Sequence, residues 1–87
     1  MTEANEWNYF KFKILWNLVS SKKWGANYAR IVHVTSGLPG DKIGACREVL
    51  DDLVKEGLLF HHKKRKAVSL NYHRKRDIMS FLESFNE

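Results

Sequence analysis

The feature that most constrains the fold of this chain is an amphipathic segment near its centre, residues 37–59. Its apolar residues recur three and four positions apart, as in a helix with one buried face; they are Ile43, Cys46, Leu50, Leu53 and Val54. Both ends carry helix boundary signals, because Asp41 can cap an N-terminus and Gly57 suits the left-handed residue that closes a helix. The sequence therefore predicts a helix over residues 41–56.

A β-hairpin is predicted directly after this helix, over residues 58–72. Phe60 on its first strand can meet the apolar face of the second strand, which carries Val68, Leu70 and Tyr72. The connection between the strands contains only cations and lacks the Gly, Asn or Pro of tight turns; it consists of Lys63, Lys64, Arg65 and Lys66. We refer to these four residues as the basic loop.

Three further helices are predicted, over residues 6–20, 27–35 and 74–85. Hydrophobic periodicity indicates the first and the last, whereas the middle one has weak helix propensity and depends on the surrounding motif. Asn27 is the expected N-cap of the middle one. The last one is amphipathic, with Ile78, Phe81, Leu82 and Phe85 on one face.

The first helix is apolar on two opposite faces, so both faces need a packing partner. One face carries Trp7, Phe10, Ile14 and Leu18, and the other carries Tyr9, Phe12, Trp16 and Val19. The second face can pack against the C-terminal helix of the same chain or against a second copy of the chain. In the second case, a homodimer interface would consist of Tyr9, Phe12, Trp16, Ile78, Phe81 and Phe85.

Composition places the chain among small folded domains. Its 87 residues, 44% of them hydrophobic, predict one domain spanning residues 1–87. The net charge of +5 attracts polyanions. The single Cys46 cannot form an internal disulfide, and no apolar stretch is long enough to span a bilayer. We expect a soluble cytoplasmic protein with Cys46 buried.

Catalytic and metal sites are not expected in this sequence. His61 and His62 are adjacent on a strand and therefore point to opposite faces. Asp51 and Asp52 are neighbours on a helix and do not converge as an acid/base pair. The chain contains neither a glycine-rich phosphate loop nor a nucleophile elbow. These patterns indicate a protein that is not an enzyme and holds no metal or cofactor.

The order helix, glycine, strand, charged loop and strand resembles the second half of a winged helix-turn-helix domain. The matching parts are Ile31, residues 36–38, residues 49–59 and residues 68–70. The resemblance implies an α+β fold of three helices, a hairpin called the wing and a C-terminal amphipathic helix, with Trp24 in a short strand beside the wing. The interval from Gly37 to Cys46 is longer than a tight turn of this family needs.

This resemblance implies a DNA-binding transcription regulator of a small prokaryotic or archaeal type, associated with the nucleoid. The basic loop and the helix after Asp41 would contact duplex DNA; the candidate residues are Lys42, Gly44, Ala45, Arg47, Glu48, Lys63, Lys64, Arg65 and Lys66. The cations would bind phosphates without reading sequence. Gly44 and Ala45 would permit close approach to a groove, and Glu48 can accept a hydrogen bond from a cytosine amine.

Other interpretations of the same residues remain open. The basic loop can be a solvated loop, and Arg47 can form an ordinary ion pair with Asp51 four residues away. The outward surface of the central helix is acidic on balance, and a surface around Glu48, Asp52 and Glu56 would suit a protein-interaction module. The basic surface would also permit RNA binding.

Overall fold

The helices and strands form an α+β arrangement. The computed structural model describes residues 4–36 and 38–85 and places them in four α-helices and a three-stranded antiparallel sheet. The elements are α1 (Ala4–Ser20), β1 (Ala29–Arg30), α2 (Ile31–Val34), α3 (Ile43–Lys55), β2 (Leu59–His62), β3 (Ala67–Leu70) and α4 (Lys75–Phe85). Short 3-10 turns precede α3 and α4, at Gly40–Lys42 and Tyr72–Arg74.

The core lies between α1, α3 and the sheet. The buried residues of α3 are spaced three and four apart, as the amphipathic pattern predicts; they are Cys46, Val49, Leu50 and Leu53. They face the buried side of α1, which consists of Phe10, Ile14, Leu15 and Leu18. The sheet closes the core with Leu59, Val68 and Leu70.

The two ends of α3 differ in how well the sequence predicted them. Gly57 adopts a left-handed φ of +83°, and the N–H groups of Gly57 and Leu58 donate to the carbonyls of Val54 and Leu53. This is the Schellman ending for which glycine is suited. The predicted cap at Asp41 was wrong, because Asp41 lies inside the 3-10 turn and α3 begins at Ile43 without a side-chain cap.

The sheet has the order β1-β3-β2, so the strand that returns from the basic loop is central. Leu59 pairs with Leu70 and His62 with Ala67 across the hairpin, while Arg30 pairs with Ala67 on the other side. Trp24 adds an isolated bridge to Leu70, as the expected strand beside the wing would.

The second helix is shorter than the predicted span of residues 27–35. Ala29 and Arg30 form β1, and only Ile31–Val34 is helical, without a side-chain cap from Asn27. Ala29 and Arg30 are good helix formers, so local propensity does not explain the strand; their extended backbone pairs instead with Val68 and Ala67 of β3. The N–H of Ile31 also donates to the carbonyl of Lys66 in the basic loop, at 2.9 Å. Sheet pairing therefore replaces the first turns of the predicted helix.

Helix α4 packs on α1 and covers part of its second apolar face. The rings of Phe12 and Phe85 stack with 4.7 Å between their centroids, and Ile78 is fully buried. The prediction that Ile78 contributes to a dimer surface was wrong, since this side chain belongs to the core of its own chain. Tyr9 and Trp16 keep 45% and 49% of their surface exposed.

In the described part of the chain, no helix is both long and apolar enough to cross a bilayer.

Candidate nucleic-acid interface

The basic loop holds its cations in an unusual backbone conformation. Lys63, Lys64 and Arg65 have φ values of +53°, +55° and +71°, in the left-handed region that side chains disfavour. The N–H of Lys66 closes the loop by donating to the carbonyls of His62 and Lys63, both at 3.1 Å. Three exposed cations thus occupy positions where glycine would fit with less strain.

A cleft of about 850 Å³ lies between this loop, the β1–α2 segment and α3. Its cationic lining comes from three separate parts of the chain and consists of Arg30, Arg47, Lys63, Arg65 and Lys66. Its remaining lining residues are Tyr28, Ile31, Val32, Leu50, Asp51 and Ala67. The fold therefore brings Arg30 of β1, Arg47 of α3 and three cations of the basic loop to one concave surface.

Carboxylates in the described part of the chain do not pair with the cationic side chains of the cleft. Within residues 4–36 and 38–85, none of the five forms an ion pair. The alternative ion pair between Arg47 and Asp51 does not form in the described structure. Oδ1 of Asp51 lies 3.6 Å from Nε2 of His61 instead. Five cations beside one carboxylate give the cleft a strongly positive field.

Several acidic residues of the chain lie instead along the contact between α1 and its neighbours. The indole N–H of Trp7 donates to Asp52 at 3.1 Å, and Lys11 lies 3.9 Å from Glu56. The expectation that Asp52 belongs to an outward acidic surface of α3 was therefore wrong. The structure separates these carboxylates from the positive cleft.

The predicted DNA-binding residues fall into two groups. Arg47, Lys63, Arg65 and Lys66 line the cleft. The others lie outside its lining; they are Lys42, Gly44, Ala45, Glu48 and Lys64.

The residues outside the cleft differ in what they can contact. Lys42 is 3.0 Å from Glu6 of α1, and Ala45 is half-buried against the core. Gly44 and Glu48 are exposed on α3, and a Cβ added at Gly44 would meet no described atom within 4 Å. Gly44 therefore leaves open space beside the helix.

Sequence reasoning missed Tyr28, Arg30 and Val32 as site residues. All three fell in the segment predicted to be one helix, where no special geometry was expected. Their placement follows from β1 pairing with β3, which brings residues 28–32 next to the basic loop. The cation at Arg30 was the one visible signal, and a charge alone does not reveal which surface it joins.

Ring stacking and hydrogen bonds position Tyr28 at one wall of the cleft. The Tyr28 ring stacks on His62 with 4.9 Å between centroids, and Nζ of Lys63 lies 5.6 Å from the Tyr28 ring. Nε2 of His62 is 2.8 Å from the hydroxyl of Ser69, which donates to the carbonyl of Gly25. The Ser69 oxygen must therefore accept from His62, which places a proton on Nε2. Tyr28 thus presents an aromatic surface to the cleft, 36% exposed.

Cys46 is not part of this site. It is fully buried, and burial raises the pKa of its thiol to about 11. A thiol of this kind is a poor nucleophile. Among the residues whose positions are described, no cluster of three or more His, Cys, Asp or Glu side chains could hold a metal ion.

Comparison with known proteins gives no relative from which a function can be taken. No model of a protein family, no curated protein and no solved structure matches this chain. A function for the cleft must therefore come from its own charges and geometry.

Proposed function

We propose that this protein is a transcription regulator of the winged helix type that binds duplex DNA through the basic loop and the cleft beside it. The observation that supports this most strongly is the cleft itself, where Arg47 of α3 meets Arg30 and three cations of the basic loop. The order of helices and the antiparallel hairpin are also compatible with a winged helix.

In this proposal the cleft supplies affinity and α3 supplies contact with a groove. Lysine and arginine bind phosphates and release counterions, so their contribution is large at low salt and independent of sequence. The exposed side of α3 carries Gly44, Arg47 and Glu48. These residues can approach base edges once the cations of the cleft hold the DNA backbone.

The salt dependence of DNA binding tests this proposal. Replacing Lys63, Lys64, Arg65 and Lys66 by alanine should reduce the slope of log affinity against log salt by roughly 3–4, because about one counterion is released per cation. The binding of every duplex sequence should weaken alike. Fluorescence anisotropy with one labelled duplex at several salt concentrations gives both slopes.

A charge-matched control separates local contact from overall charge. Lys13, Lys55, Lys75 and Arg76 are exposed cations outside the cleft, and their replacement by alanine should change the slope far less. Equal slopes for wild type and the loop variant would contradict the proposal and favour a protein-interaction module. Tighter binding to duplex RNA than to duplex DNA would favour the RNA alternative.

The proposal includes a homodimer that reads two half-sites about one DNA turn apart. Its support is the exposure of Tyr9 and Trp16 on α1 and of Phe85 on α4, at 45%, 49% and 37%. Trp16→Ser should weaken the dimer while leaving the monomer folded. Sedimentation equilibrium checks both, and a wild-type monomer at tens of micromolar would contradict the dimer.

A further inference from the structure

We infer that the cleft is also a binding site for a small nucleotide, a nucleoside di- or triphosphate, which competes there with nucleic acid. The competition rests on the proposed function, whereas the nucleotide site itself rests only on the lining of the cleft. Three properties of that lining lead to this ligand class: its volume, its charge and its exposed apolar side chains.

The volume of the cleft matches a small molecule. Pockets for small ligands have volumes of roughly 300–1,000 Å³, and this cleft measures about 850 Å³. Leu50 and Ala67 lie beneath its floor with 1% and 0% of their surface exposed, so a ligand would contact the exposed lining residues.

The charge of the cleft matches linked phosphates. Arg30, Arg47 and Arg65 come from β1, α3 and the basic loop, so they approach a ligand from three directions. Each guanidinium can donate two parallel hydrogen bonds to one phosphate. With Lys63 and Lys66 added and Asp51 subtracted, the lining carries a net charge of +4. A single carboxylate or phosphate would neutralise only part of it.

The exposed apolar side chains of the cleft match a nucleobase. Val32 is 63% exposed and Tyr28 is 36% exposed, beside the buried Ile31. Aromatic and aliphatic surfaces of this kind are covered when a base stacks on them. An inorganic polyphosphate would leave both side chains in water. A ligand with a planar ring and two or three phosphates satisfies both parts of the lining.

Isothermal titration calorimetry with three probes tests the nucleotide site. ATP, inorganic tripolyphosphate and adenosine are titrated into the full chain at low salt, without divalent metal. ATP should bind with a dissociation constant below about 1 mM, at least about tenfold more tightly than either fragment. Tripolyphosphate binding as tightly as ATP would overturn the inference, because the base would then contribute nothing.

Three variants connect the binding to the cleft. Arg47→Gln should weaken ATP at least about tenfold, whereas Lys13→Gln, an exposed cation of α1, should leave it unchanged. Val32→Ser should weaken ATP but not tripolyphosphate, since it removes only apolar contact. Circular dichroism verifies that each variant is folded. Equal losses in Arg47→Gln and Lys13→Gln would overturn the inference.

Measuring DNA binding in the same samples separates the two proposals. ATP should displace a labelled duplex from the wild-type chain, and Arg47→Gln should need more ATP for the same displacement. DNA binding with no ATP binding overturns the nucleotide site and leaves the proposed function intact. ATP binding with no DNA binding supports the site and overturns the proposed function. Simultaneous binding of both ligands without competition overturns the inferred competition.

Discussion

Three consecutive residues of the basic loop have positive φ angles, and none of them is glycine. A side chain in the left-handed conformation costs roughly 1–2 kcal/mol relative to glycine. The protein is thus less stable with lysine and arginine at these positions than it would be with glycine. Such a trade is expected where the side chains contact a ligand.

Lys64→Gly tests the strain at this loop. Glycine should make the protein more stable than Lys64→Ala by about 0.5–1 kcal/mol, because relief of strain exceeds the extra chain entropy of glycine. The free energy of unfolding of Lys64→Ala should lie within about 0.5 kcal/mol of that of the wild type. Urea denaturation of both variants measures the difference. An alanine variant as stable as the glycine variant would contradict the left-handed conformation.

The buried thiol of Cys46 should make stability fall at high pH. Its pKa is raised from 9.0 to about 11 in the folded protein. Between these pH values the Cys46 thiol therefore ionises only in the unfolded chain. This stability is fully present below pH 9 and is lost as pH rises towards 11, by up to about 2–3 kcal/mol. Comparing urea denaturation of wild type and Cys46→Ala from pH 8 to pH 11 isolates this effect from other titrating groups. Parallel pH profiles would contradict it.

At the scale of the elements, α3 could be predicted from the sequence and α2 could not. The buried residues of α3 follow a helical period, and Gly57 ends it by a local backbone preference. Ala29 and Arg30 favour a helix locally, but their strand structure depends on distant residues of β3. Non-local pairing of this kind is invisible to periodicity. The cleft was missed for the same reason, since it exists only once β1 pairs with β3.

The packing of α4 on α1 can be tested through Ile78. Because this side chain is fully buried, Ile78→Ala should reduce the free energy of unfolding by about 2–5 kcal/mol. The neighbouring Ser80→Ala, on the exposed side of α4, should change it by less than about 0.5 kcal/mol. Thermal or urea denaturation measures both. A small effect of Ile78→Ala would show that α4 does not pack on the core in solution.

At the scale of the whole molecule, charge is separated between two regions. Three carboxylates take part in contacts between α1 and residues 42–56, namely Glu6, Asp52 and Glu56. The cleft on the other side of α3 carries five cations and Asp51. The net charge of +5 therefore understates the local field at the cleft. This charge distribution would steer a polyanion towards the cleft, as the proposed function requires.

The most direct test of the proposed interface is a titration of the ¹⁵N-labelled protein with a short DNA duplex, followed by amide chemical shifts. We predict that the largest changes occur at the cleft and the basic loop, at the amides of Arg30, Val32, Arg47 and residues 63–67. The amides of α1 around Tyr9 and Trp16 should change little. Shifts concentrated on that aromatic side of α1, with the cleft unaffected at low salt, would contradict the account.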